Sequence, residues 1–353
     1  MRRSWLLGAL GLLLTGCLGT KQIGPPPLQV TVHRLELDQT GFFDVAWLAD
    51  GTLVLNQLSG LSSFLWQVHP NGSGLERLSL QSDPRCRVLN VGRPRTLPNG
   101  SLAFLRDCTL TGPEDKVDLS LIEYNSSTGQ ERPLMAQPLG VNPAEYTWNP
   151  QMTRGLYSVT SSICAGIGAM NRQRVVDFPL AIVVGGRSHQ LDEDLLSPGS
   201  ADCSNEIKAD LPAWSPDGSQ IAFLASPQVI GSGGFSRSDA PWNLYLVGAD
   251  EEQPVPVLSG LVHPQSLFWS PDGKSLAYAG EVEGRGEGVW LFNVATRELR
   301  TLVAGRYMAL AWSHDGSQVA VVRDLGPVGA FPPNTEVDLL NLSPSTSPSE
   351  AAP

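Results

Sequence analysis

Short runs of apolar residues alternate with polar segments along the chain, and a repeated turn sequence separates them. Residues 214–218 and 269–273 read Trp-Ser-Pro-Asp-Gly, and residues 312–316 read Trp-Ser-His-Asp-Gly. Each turn is followed by an apolar run, such as residues 221–224. Asp-Gly between two apolar segments is a strong hairpin signal, because these residues tolerate the positive φ angles of a tight turn. The pattern therefore predicts a strand, a tight turn and a second strand that recur along the chain.

Weaker copies of this repeat occur closer to the N-terminus, at residues 47–51, 96–100 and 148–155. Successive turns lie 43–66 residues apart, which is enough for four antiparallel strands. The sixth copy has only residues 336–342 after its hairpin, whereas residues 28–37 form a strand-like segment before the first copy. Pairing these segments would remove an unpaired sheet edge. We therefore predict an all-β fold, a six-bladed β-propeller of four-stranded antiparallel blades, whose last blade is closed by the N-terminal strand.

The turn, with Ile-Ala-Phe or Leu-Ala-Tyr after it, resembles the repeat of the TolB-type, WD40-like six-bladed β-propellers. The clear copies cover residues 211–323, and the weaker ones extend the resemblance to about residue 43. This resemblance implies the fold rather than a particular partner, because the chain lacks the small N-terminal domain of TolB. We interpret the repeated Trp and Asp-Gly residues as scaffold: the aromatic ring packs between neighbouring blades, and Asp-Gly forms the hairpin.

The N-terminal segment has the features of an export signal. Arg2 and Arg3 precede an apolar run too short to span a bilayer, and the run ends on Leu-Thr-Gly-Cys17. This ending resembles the lipobox of bacterial lipoproteins, which implies that Cys17 is acylated and becomes the first mature residue. The alternative is an ordinary signal peptide with a coincidental cysteine. The expected organisation is a signal peptide (1–16), a lipidated tether (17–27), a β-propeller domain (28–342) and a disordered tail (343–353).

These features predict an extracytoplasmic protein that a lipid anchor attaches to a membrane. Leu18 follows the cysteine in place of the aspartate that marks inner-membrane retention in some bacteria, which favours the outer membrane. The chain carries a net charge of −11, and loss of residues 1–16 leaves 22 basic and 35 acidic side chains, a net charge of −13. Such a chain repels phosphate backbones, so nucleic acid is excluded as a partner. We expect a monomer.

Four cysteines follow Cys17, and an even number in an exported chain indicates disulfides. With the propeller geometry, Cys86 and Cys108 flank the first hairpin of the second blade on the same face. Cys164 and Cys203 lie on that face in the third blade and in the crossover to the fourth. We therefore predict the bonds Cys86–Cys108 and Cys164–Cys203.

The connections between the second and third strands of the blades are longer than ordinary hairpins, and they all lie on one face. These B–C loops are residues 107–118, 161–179, 226–242, 280–287 and 323–335. Long loops on a rigid scaffold often carry function, so this B–C face is the predicted binding face. Its candidate binding residues are Arg172, Arg174, Phe235, Arg237 and Trp242. For Trp242, packing at the start of a strand is an equal alternative. Arg172 and Arg174 are consistent with solvated surface charges as well as with an anion site.

No motif for catalysis or metal binding occurs in the sequence. It has no Gly-x-Ser-x-Gly elbow and no His-Glu-x-x-His pair, and we expect no catalytic residue, no metal and no cofactor. The expected function is a cell-envelope binding or scaffolding propeller, not an enzyme, which docks a protein or a cell-wall glycan on its B–C face. The alternative is a propeller enzyme with a small-molecule or metal site in the mouth of the central channel.

Overall fold

A computed structural model gives the structure of the chain, and all elements in its described part are β-strands. The described residues are 28–60, 62–82, 84–110, 117–134, 143–159, 164–165, 173–174, 178–184, 187–190, 207–227, 241–250, 254–327 and 333–344. Within these ranges no residue is helical, all strand pairs are antiparallel, and no helix has the length and apolarity needed to cross a membrane. The prediction of an all-β fold is confirmed.

The strands form repeated groups of four, which we name units 1 to 6. Unit 1 contains β2 (Phe42–Trp47), β3 (Leu53–Ser59), β4 (Ser62–Val68) and β5 (Glu76–Arg77). Unit 2 contains β6 (Cys86–Thr96), β7 (Leu102–Leu110), β8 (Val117–Asn125) and β9 (Gln130–Pro133). Unit 3 contains β10 (Pro143–Trp148), β11 (Arg154–Val159), β14 (Phe178–Val184) and β15 (Arg187–Gln190), with a separate small hairpin of β12 (Cys164–Ala165) and β13 (Gln173–Arg174).

Units 4 and 5 form one seven-stranded sheet because they share a long strand. The sheet contains β16 (Ile207–Trp214), β17 (Gln220–Pro227), β18 (Trp242–Gly248), β19 (Val255–Trp269), β20 (Ser275–Val282), β21 (Gly286–Asn293) and β22 (Leu299–Ala304). The first half of β19 pairs with β18 and its second half pairs with β20. This strand is therefore the last strand of unit 4 and the first strand of unit 5.

Unit 6 combines the two ends of the described chain. It contains β23 (Tyr307–Trp312), β24 (Gln318–Asp324), β25 (Thr335–Pro344) and the N-terminal strand β1 (Leu28–Arg34), in the order β23-β24-β25-β1. Leu28 lies opposite Pro344, and Arg34 lies opposite Asp338. The Arg34 guanidinium adds ion pairs to Asp338 and Glu336 across these two strands. The strand that the sequence lacked after residue 342 is thus supplied by residues 28–34.

The repeated turns have the same hydrogen bonds in three units. In unit 4 the Ser215 hydroxyl donates to Asp217 at 2.6 Å, and the backbone N–H of Ser219 donates to the same carboxylate at 3.0 Å. Gly218 has a φ of 75°, a left-handed conformation that costs glycine little. Ser270 with Asp272 and Ser313 with Asp315 repeat this arrangement. The sequence Ser-Pro/His-Asp-Gly is therefore a local structure that fixes each hairpin.

The first strands of units 1, 3, 4, 5 and 6 end in a tryptophan, and three of these side chains contact the neighbouring unit. Trp47 shares a buried cluster with Ala309 of unit 6, and Trp214 shares one with Leu156 of unit 3. The indole of Trp269 in unit 5 donates a hydrogen bond to the Ala213 carbonyl of unit 4 at 3.0 Å. The structure thus supports the scaffold role that we inferred for these residues.

Strand boundaries differ from those that the sequence predicted, most clearly at two places. Residues 280–287 are not a long loop, because β20 continues to Val282 and β21 begins at Gly286, leaving a three-residue turn. Strand β25 includes Ser343 and Pro344, the first two residues of the predicted tail, because both pair with β1. In each case strand pairing continues into Gly- or Pro-containing sequence that, without the partner strand, resembles a loop.

Candidate functional site

A large aromatic cavity lies where the first strands of all six units end. Its volume is about 660 Å³, and the lining comes from strands β2, β6, β10, β16, β19 and β23 and the turns after them. Five tryptophans contribute to the lining: Trp47, Trp148, Trp214, Trp269 and Trp312. We name this space the aromatic cavity. Its size and its aromatic lining with a few polar groups are those of an ordinary ligand pocket.

A second, smaller cavity lies where several of the same strands begin. Its volume is about 320 Å³, and we name it the polar cavity. Units 1, 2, 5 and 6 contribute its lining, which includes Asp44, Asn90, Arg93, Asp107 and Gln265. The start of a first strand and the end of a second strand lie on the face of the B–C loops. The polar cavity therefore opens on the face that the sequence predicted to bind a partner.

Arg95 contributes to the lining of both cavities. Its Nη1 donates to both carboxylate oxygens of Asp44 at 3.0 Å and to the Pro94 carbonyl at 2.7 Å. The guanidinium carbon lies 5.2 Å from the centre of the Phe268 ring. Arg95 is in unit 2, Asp44 in unit 1 and Phe268 in unit 5, so one side chain connects three units. Both charged groups are buried, at 8% and 7% exposure, so the pair is neutralised within the protein.

The backbone is irregular inside the first strands of units 2, 4 and 5. The pairing of β6 with β7 shifts register between Gly92 and Arg95, and Arg93 has a φ of 52°. Leu211 in β16 and His263 in β19 have the same left-handed conformation. All three precede proline. Bulges of this kind change the direction of side chains and are common next to binding sites.

Asp107 is the acidic group of the polar cavity that lacks a neutralising partner. Its half-buried carboxylate has no hydrogen bond or ion pair with the described residues, and burial alone raises its pKa above the usual range. The residue lies in β7 opposite Asn90 of β6. Its neighbour Cys108 forms the predicted disulfide with Cys86, which joins the same two strands. The position of Asp107 is therefore fixed by sheet pairing and by a covalent bond.

The structure describes some of the predicted site residues. Cys17, Arg172, Cys203, Phe235 and Arg237 lie outside the described residues, so the Cys164–Cys203 bond stays a prediction. Cys164 and Arg174 lie opposite each other in the hairpin of β12 and β13. Trp242 is 8% exposed and belongs to a buried cluster with Leu261, which is the packing alternative that we gave for it.

Sequence reasoning did not identify Asp44, Arg93, Arg95, Asp107 or Gln265 as site residues. A signal was present, since Arg93-Pro94, Leu211-Pro212 and His263-Pro264 each precede a repeated turn. Such repeated X-Pro pairs inside a strand indicate a bulge. Within the described part of the chain, no group of three or more His, Cys, Asp or Glu side chains is placed to hold a metal ion.

Comparisons with known proteins show similarity in structure but not in sequence. No protein-family model and no curated protein matches the chain. TolB from Acinetobacter baumannii is similar with a TM-score of 0.52 and 13% identity, covering 84% of this chain and 65% of that one. An oligogalacturonate lyase from Vibrio parahaemolyticus has a TM-score of 0.52 and 9% identity, covering 90% of this chain and 97% of that one. The chain therefore has a β-propeller fold similar to that of TolB.

The sequence led us to predict that the chain is not an enzyme, and the comparisons contradict this prediction. Besides the lyase, the similar structures include a putative oxidoreductase (glucose dehydrogenase) from Thermus thermophilus, with a TM-score of 0.52 and 13% identity, covering 88% of this chain and 100% of that one. The same fold thus occurs in proteins that are described as enzymes, and absence of sequence motifs does not argue against catalysis, because propeller sites are assembled from separate strands. At these identities the similarity shows the fold alone.

Proposed function

We propose that the protein is an extracytoplasmic binding propeller, anchored by a lipid on Cys17, that docks a partner on its B–C face. The observation that carries this proposal is the polar cavity. It opens on the face that the sequence predicted, and it brings charged and amide side chains from separate units into one concave site. A fixed scaffold that presents convergent polar groups at a surface opening is typical of a recognition site. An envelope protein or a cell-wall glycan would be the partner.

In this proposal units 1 to 6 are the six blades of a closed ring. Two observations support it: all six first strands line the aromatic cavity, and Trp47 of unit 1 packs in one cluster with Ala309 of unit 6. The pairing of β1 with β25 would then close the last blade. Residues 28–342 would form this domain, followed by the tail.

The path of the chain orients the proposed ring relative to the membrane. The backbone N–H of Leu342 donates to Ser317, which lies in the turn of unit 6, so β25 ends on the turn face. Leu28 pairs with Pro344 and begins on that same face. The tether at residues 17–27 would therefore leave from the turn face, and the polar cavity would open away from the membrane. This orientation leaves the B–C face accessible to a partner.

The test is in-cell crosslinking and capture of the tagged, anchored protein, with a blocking variant of the polar cavity. Gln265 is exposed and lines the cavity, so Gln265→Trp fills its opening. Gln151 is exposed in the turn of unit 3, and Gln151→Trp is the matched control on the other face. Docking predicts a stoichiometric envelope partner that is lost with Gln265→Trp and kept with Gln151→Trp. Equal capture by both variants, or no partner of the unmodified protein, would overturn the proposal.

The second candidate function is a small-molecule site, including an enzyme site, in the channel. The aromatic cavity favours it, since about 660 Å³ is ample for a small ligand. Flat aromatic faces such as those of Trp148 and Trp312 bind rings and cations. Native mass spectrometry of the purified protein should then show a retained molecule. Its loss in a variant with Trp148→Ala would assign it to this cavity, and an unliganded mass would count against this function.

A further inference from the structure

We propose that the polar cavity recognises a cationic group, a primary ammonium or a guanidinium on the docked partner, with Asp107 as its counter-ion. This inference rests on the proposed function and specifies its chemistry. Of the two partner classes proposed for the B–C face, an envelope protein and a cell-wall glycan, it selects a protein with an exposed Lys or Arg side chain.

The charges of the polar cavity support a cationic ligand. Its lining contains Asp44, Arg93, Arg95 and Asp107 as charged residues. Asp44 and Arg95 neutralise each other through two hydrogen bonds of 3.0 Å. Arg93 has contacts of its own within the protein. Asp107 is therefore the carboxylate of this lining that folding leaves without a partner among the described residues. A half-buried anion in such a position is stabilised by any cation that enters the cavity.

Neutral acceptors add to this preference. The Gln265 amide nitrogen donates to the His263 carbonyl at 3.1 Å, and the amide oxygen has no hydrogen bond with the described residues. Gln265 belongs to unit 5 and Asp107 to unit 2, so acceptors from separate units line one small space. An ammonium group has three donors and a guanidinium five, so both can use acceptors from two directions.

The size of the cavity and the charge of the chain agree with this ligand. At about 320 Å³ the cavity is at the lower end for ligand sites, which fits one inserted side chain rather than a large molecule. The net charge of −13 of the chain without residues 1–16 attracts a basic partner over a longer distance and raises the association rate at low ionic strength. Site rigidity also contributes, because the Cys86–Cys108 bond holds the two strands next to Asp107.

The direct test uses Nα-acetyl-lysine methylamide as the probe and its uncharged Nε-acetyl derivative as the comparison, titrated by NMR at fixed pH and ionic strength. Asp107→Asn removes the counter-ion. Asp50→Asn is the matched control, because Asp50 is exposed in the turn of unit 1 and its substitution makes the same change in net charge. We expect the charged probe to bind the unmodified protein and Asp50→Asn equally, and Asp107→Asn at least tenfold more weakly. Equal binding by all three proteins, or equal binding of the uncharged derivative, would overturn the inference.

The crosslinking experiment separates this inference from the proposed function. If Asp107→Asn still captures the partner as well as Asp50→Asn does, docking stands and the cationic recognition is refuted. If the unmodified protein captures no partner, the docking function itself fails. Selective loss of the partner with Asp107→Asn supports both the docking function and the cationic recognition, provided that the thermal midpoint of this variant is not below that of the unmodified protein.

Discussion

Arg95 and Asp44 form a buried ion pair between units 2 and 1, with the Arg95 Nη1 at 3.0 Å from each carboxylate oxygen. The pair lies at the boundary of the two cavities, where the Arg95 guanidinium also faces Phe268 of unit 5. A charge in this position is tolerated because its partner is supplied by the neighbouring unit. The ion pair therefore joins units 1 and 2 at a position that both cavities share.

Removing one member of this pair should be strongly destabilising. Asp44→Ala removes the carboxylate that pairs with the buried Arg95, and we expect a loss of about 3–5 kcal/mol in the free energy of unfolding. The double variant Asp44→Leu with Arg95→Met removes both charges and should recover most of this loss. Urea unfolding of the three proteins measures the difference. Equal destabilisation by the single and the double variant would show that the pair is not the source of the effect.

The Cys86–Cys108 bond should stabilise the fold and be found in the exported protein. The bonded residues are 22 apart in sequence, and closing a loop of this length is worth about 3 kcal/mol through the entropy of the unfolded chain. Non-reducing peptide mapping should recover Cys86 joined to Cys108, and Cys164 joined to Cys203. The variant Cys86→Ser with Cys108→Ser should unfold at lower urea concentration. Peptides that join Cys86 to Cys164 or Cys203 would contradict the pairing.

The repeated turns should lose stability in acid. Hydrogen bonds from Ser215 and Ser219 lower the pKa of Asp217, and those from Ser317 and Ser313 lower that of Asp315. Because their pKa is lowered in the folded state, these carboxylates stabilise the fold at pH values above the ordinary Asp pKa of about 3.8. This contribution is lost as the pH falls through the folded-state pKa. Ser215→Ala should raise the pKa of Asp217 and cost about 1–2 kcal/mol. NMR titration of the carboxylates measures the shift; an unchanged Asp217 pKa would refute this account.

Asp107 should have the opposite effect on stability: its ionised carboxylate should destabilise the fold. Burial raises its pKa, so the folded state binds the proton more tightly than the unfolded state does, and the ionised group opposes folding. Asp107→Asn should therefore be more stable than the unmodified protein at pH 7. The gain should disappear as the pH falls below the ordinary Asp value, because both proteins are then neutral at this position. Thermal midpoints across this pH range measure it, and a less stable variant at pH 7 would contradict the assignment.

Deleting the N-terminal strand should expose the edge of β25. A chain that begins after Arg34 lacks β1 and its ion pairs to Glu336 and Asp338, and its unpaired edge should promote association. We expect a lower thermal midpoint and oligomers on size-exclusion chromatography. A chain that begins at Leu28 is the matched control and should stay a monomer. Equal behaviour of the two truncated chains would show that β1 does not protect this edge.

The strands and turns could be predicted from the sequence because their causes are local. Ser215, Asp217 and Gly218 form the hairpin through hydrogen bonds between residues at most five positions apart and one left-handed φ. The apolar runs supply the buried residues of strands such as β3. Local pattern was insufficient where pairing extends a strand, as at residues 280–287. It also left Trp242 with two equal interpretations, since exposure depends on which strands cover a side chain.

The tertiary structure alone decided the site. Asp44, Arg95 and Phe268 lie in three different units, and no spacing along the chain indicates that they meet. The same holds for Asp107, which has no partner among the described residues and lies in a cavity built by separate strands. A hairpin depends on neighbouring residues and can be predicted from the local sequence, whereas a cavity forms only when strands that are distant in sequence pack around it.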